Sequence, residues 1–116
     1  MARQPTAIVE LRRALGERLA AFRKGADLRQ ADLARHTSYH RSTVAHIETG
    51  RTRADARFWQ TADQATGADG ALLAEFHRLE TAEREHELSI RETALASARA
   101  KVERFQLDTI RKCLNC

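Results

Sequence analysis

The chain has 116 residues, 42% hydrophobic and 31% charged, enough for one core with an appendage but not for two large domains. No apolar run approaches the roughly 18 residues of a membrane span, and the N-terminus lacks the apolar block of a signal peptide, so a cytoplasmic protein with no membrane association is expected. The net charge of +4 is uneven, with 12 Lys and Arg against 7 Asp and Glu over residues 1–65 and 8 against 9 over the remainder. A basic half suits a polyanionic partner, because neutralised phosphates release counterions, although modest positive charge is common on soluble domains. With one Pro, five Gly and abundant Ala, Leu, Arg and Glu, the composition points to an all-α fold.

The spacing predicts a first helix that starts after Pro5, capped by Thr6, and buries one stripe of Ile8, Leu11, Leu15, Leu19 and Phe22 before Gly25 stops it. A second helix is expected from about Gln30 to His36, with Leu33 and Ala34 on its apolar face, and small Ala34 allows a close crossing. Thr37, Ser38 and Tyr39 break the periodicity. A third helix from about Arg41 to Glu48 packs Val44 and Ile47 and turns Arg41, Ser42, Ala45 and His46 to the polar side; Thr49 and Gly50 end it. Asp55 is a cap for a fourth helix bearing Phe58, Trp59, Ala62 and Ala65, which stops at Gly67. Asp69 is a candidate cap for a fifth helix bearing Leu72, Leu73, Phe76 and Leu79.

From Glu80 onward charge crowds the chain, with neither Pro nor Gly to break a helix. The expected division is therefore a domain over 1–79 and a helical extension over 80–116. Leu88, Leu95 and Val102 are seven apart, with Ala98 and Phe105 in the complementary positions, giving about two and a half heptads of a narrow seam. Arg84, Arg91 and Lys112 interrupt it. Self-association as a short coiled coil, packing back onto the domain, and a solvated helix all remain open from sequence.

Three stretches carry a family resemblance: LGERLAAFR at residues 15–23, LRQADLA at 28–34 and RSTVAHIETGR at 41–51. They resemble the first helix, second helix and recognition helix of the Xre, Cro and lambda-repressor helix-turn-helix family. The likeness extends over roughly Leu11 to Leu79, and FWQTAD at 58–63 and GALLA at 70–74 are most similar to actinobacterial, Streptomyces-like members. The resemblance implies a five-helix lambda-repressor-like domain that binds double-stranded DNA with the recognition helix in the major groove. Against the family pattern, Ser38 stands at a turn position usually held by Gly, where a positive φ adds about 1 kcal/mol of strain. Arg29 and His40 stand where Ser or Thr usually caps the second and third helices, each lost cap costing ~1 kcal/mol. Both are also potential cations beside helix N-termini that can meet phosphate.

The resemblance assigns Gln30 to phosphate contact or to support of the recognition helix, and Arg41 and Ser42 to the most exposed recognition positions. Arg41 can bond guanine O6 and N7 in bidentate fashion, Ala45 can touch a thymine methyl, and His46 can donate to a base or phosphate. Thr49, Arg51 and Arg53 can clamp the sugar-phosphate backbone, their plainer reading being an exposed loop. Glu48 is matched in the family by an acidic residue that braces the domain, with Arg18 as its candidate partner. Phe58 and Trp59 have core spacing.

Cys113 and Cys116 are weak evidence for a zinc or redox site, because further ligands are lacking in sequence; mobile reduced thiols fit the terminal position better. No phosphate loop, metal-protease pattern or catalytic constellation is present, so no enzyme activity, cofactor or metal is expected. The leading expectation is a sequence-specific transcriptional regulator binding DNA as a homodimer. The alternative is an adaptor or antitoxin-like factor that holds a partner protein through residues 80–116.

Overall fold

The structure, a computed structural model, describes residues 5–114, and all of its regular elements are helices: α1 (Thr6–Gly25), α2 (Gln30–Thr37), α3 (Arg41–Glu48), α4 (Ala56–Thr66) and α5 (Ala71–Leu114). The chain divides into two compact units, one up to Ala82 and one from Glu83. Among the described residues no helix is long and apolar enough to cross a membrane.

In the first unit the core is built from Ile8, Leu15 and Leu19 of α1, Leu33 and Ala34 of α2, Val44 and Ile47 of α3, Phe58, Trp59 and Ala62 of α4, and Leu72, Phe76 and Leu79 of α5. The aromatic rings form a relay. Tyr39 stacks on Phe58 at 5.1 Å, Phe58 meets Trp59 edge-on at 5.1 Å, and Trp59 stacks on Phe76 at 6.2 Å. Such offset and edge-on pairs each add about 0.5–1.5 kcal/mol beyond area burial.

Three expectations about helix ends and faces need correction. Leu11 is 39% exposed. The buried arc of α1 runs through Ile8, Leu15 and Leu19 toward Gly16 and Arg23, and Leu11 falls on its far edge. Thr6 caps nothing: Pro5 holds the N-cap position without a side-chain bond, and Thr6 is the first helical residue. Pro suits a helix start because its missing N–H would be unpaired there anyway.

The α5 start is held by Asp63 of α4 rather than by Asp69. The buried Asp63 carboxylate accepts from the amides of Gly70, Leu72 and Leu73 at 2.8, 3.1 and 3.2 Å, satisfying donors that a helix start otherwise leaves open. Asp69 instead takes a left-handed turn conformation at φ +54°. Asp55 does cap α4, accepting from the Phe58 amide at 2.9 Å, and Gly67 ends that helix at φ +68°.

Candidate nucleic-acid interface

Helices α2 and α3 cross at the turn formed by Ser38, Tyr39 and His40. Ser38 adopts φ +60°, ψ +34°, the left-handed geometry that its position called for. The Tyr39 amide closes the end of α2 by donating to the Ala34 carbonyl at 2.9 Å. His40 then occupies the N-cap of α3 with no side-chain cap.

Val44 and Ile47 are fully buried, which fixes the rotation of α3 about its axis. Arg41, Ser42 and His46 are consequently exposed and Ala45 half-buried on the opposite side. The mount is unusually close. A Cβ placed on Gly16 of α1 would lie 2.5 Å from both the Ile47 and Glu48 carbonyl oxygens, so only glycine lets α1 approach the end of α3 this far.

Beneath the polar face runs a chain of polar contacts. Arg23, at the end of α1, donates from Nε to Glu48 at 2.6 Å and from Nη2 to its other oxygen at 3.1 Å, and from Nη1 to the Leu28 carbonyl at 2.9 Å. Both side chains are nearly buried, at 11% and 6% exposure. Gln30 donates to the same Glu48 at 3.0 Å and accepts from Arg41 Nη1 at 3.4 Å. Glu48 thus braces the domain, but its partner is Arg23, while Arg18 pairs with Glu75 of α5. Arg23 lies four residues beyond Leu19, on the buried arc, whereas Arg18 does not; that spacing was the signal available in the sequence.

Arg29 is bound to its own helix start. Asp32 accepts from the Arg29 amide at 2.9 Å and from its guanidinium at 3.1 Å twice, and also from Arg35 at 2.5 Å. These bonds, the Arg29 guanidinium first, hold the Asp32 carboxyl well below the usual carboxylate range and raise the pKa of Arg29. An arginine cannot accept from the helix amides, so only the Asp32 half of a capping box is made. Arg23, Arg29, Gln30, Ala31 and Arg41 line an open concavity beside the helix starts.

Past α3, the His46 carbonyl accepts from the Arg51 amide at 2.9 Å and the Thr49 hydroxyl at 3.1 Å, and Gly50 turns the chain at φ +78°. Arg51 is exposed. The Arg53 guanidinium lies 5.9 Å from the centroid of the Phe76 ring, a cation–π distance that commits part of its reach to α5. Phe58 and Trp59 are buried at 2% and 3% exposure and cannot stack on bases. Among the described residues no three His, Cys, Asp or Glu side chains converge as a metal site would need. The Cys113 and Cys116 pair lies outside the residues whose side chains are described.

Two short helices joined by a tight turn, the second mounted with a polar face outward, define a helix-turn-helix unit. Residues 14–76 match the model of the helix-turn-helix domain family, more than half of the chain, and the protein belongs to that family. No curated protein matches the chain.

Proposed function

We propose that this protein is a sequence-specific, double-stranded-DNA-binding transcriptional regulator of the Xre type, acting in the cytoplasm as a homodimer. The single observation that carries this reading is the burial of Val44 and Ile47 opposite exposed Arg41, Ser42 and His46 on a helix belonging to a helix-turn-helix domain. In the proposed complex Arg41 reads a base, Ser42, Ala45 and His46 meet neighbouring edges, and Gln30 steadies Arg41 or meets phosphate. Arg29, His40, Thr49, Arg51 and Arg53 serve the phosphate backbone, Arg29 with its charge already shared with Asp32 and Arg53 with its guanidinium against Phe76.

The test is selection of a random duplex library on the full-length protein, followed by binding of the selected sequence by variants. Arg41→Ala is expected to relax preference at one base position per half-site, losing about 1–3 kcal/mol of discrimination. Arg51→Ala is expected to weaken all sequences alike and lower the salt slope by about one. Equal, uniform losses for both variants, or no enriched sequence, would overturn the assignment.

A further inference from the structure

The second unit carries an exposed apolar seam. Leu88, Leu95, Val102 and Phe105 on α5 are 50%, 57%, 55% and 73% exposed. Leu95, Ala98, Arg99 and Val102, with Glu103, surround a shallow groove over Ala98. Four residues at these spacings are the hole into which a coiled-coil partner inserts one side chain.

Charge along the same helix is polarised. Residues 83–92 hold four Glu against two Arg, whereas residues 93–107 hold three Lys and Arg against one Glu. The segment is therefore complementary to itself when reversed.

We propose that residues 83–107 of α5 pair with the same segment of a second copy in antiparallel orientation, centred between Ala96 and Ser97. This rests on the homodimer of the preceding subsection and specifies its interface. In this register Leu95 of each copy enters the groove over Ala98 of the other, Leu88 lies opposite Phe105, and Glu92 faces Arg99 twice by symmetry. Arg91 falls opposite Val102 and keeps the bond its own Glu87 makes to it at 2.8 Å.

A parallel pair fits worse on each count. It leaves the groove to Ala98, sets Arg91 against Arg91, and places Glu87 beside Glu92 on both flanks. Heterologous pairing has no such self-complementarity to explain. Ile90 and Leu107 lie off the seam and take no part.

Sedimentation of the full-length protein across micromolar concentrations at low salt tests the proposal. The wild type is expected to be a dimer. Glu92→Lys and Arg99→Glu should each weaken dimerisation roughly tenfold, and the double variant should restore it, since exposed pairs are modest singly but occur twice. Tightening by Glu92→Lys would establish the parallel pair instead, because that change relieves Glu87. Indifference to both variants, or a monomeric wild type, would equally overturn the proposal, the latter giving the seam to another protein. DNA selection by Arg41 is read separately, so failure of the dimer leaves the reading-helix assignment intact, and the reverse.

Discussion

Glu48 accepts from two side chains at once, and the consequences of losing it follow from burial. Removing one partner of a buried ion pair strands the other, and here the stranded group is the Arg23 guanidinium with Gln30 beside it. Glu48→Ala is expected to cost about 3–5 kcal/mol in urea unfolding, and adding Arg23→Met should recover a large part of it. Asp32 acts at the surface and through pH. Its folded pKa lies below the unfolded value near 3.9, so its contribution is full above that pH and declines as pH falls toward the depressed value. Asp32→Asn should therefore melt below the wild type at neutral pH, and the gap should close in melts taken progressively below about pH 4. Two arginines of α1 compete for Glu48 in the sequence, and only the spacing of Arg23 from Leu19 on the buried arc separates them.

Between elements, the closest approach is that of α1 to the end of α3 at Gly16. An added methyl there meets backbone oxygens, which cannot rotate away as a side chain would. Gly16→Ala is expected to destabilise by about 1–3 kcal/mol or more, whereas Gly25→Ala, where nothing lies within 4 Å, should be neutral or stabilising by up to about 1 kcal/mol. Thermal melts of the two variants side by side check the contrast. Helices α2, α3 and α4 were legible from periodicity and punctuation: α3 and Asp55 stand where spacing put them. The start of α5 was not legible. Its cap comes from Asp63, seven residues before the first amide it holds, and no local pattern reports a bond made across a turn.

At the scale of the whole molecule, the core of the first unit follows the apolar spacing closely, with Leu11 exposed and Phe22, Ala65 and Leu73 only half-buried. The polar face of α3 was legible for the same reason, since burying Val44 and Ile47 leaves Arg41, Ser42 and His46 no other side to occupy. The chain from Arg23 through Glu48 and Gln30 to Arg41 was not, because it joins three helices through side-chain lengths that spacing does not encode. In the second unit the sequence carried a helix and a seam, and the exposure of Leu88, Leu95 and Val102 adds the apolar surface that the proposed pairing buries.

The Gly16 contact has one more implication. Because α1 grips α3 through main-chain oxygens and the core grips it through Val44 and Ile47, this support does not run through the exposed side chains at positions 42 and 46, and at position 41 it adds only the bond to Gln30. On the proposed reading, substitutions at 42 and 46 rewrite what the helix recognises while the scaffold that presents it is inherited unchanged.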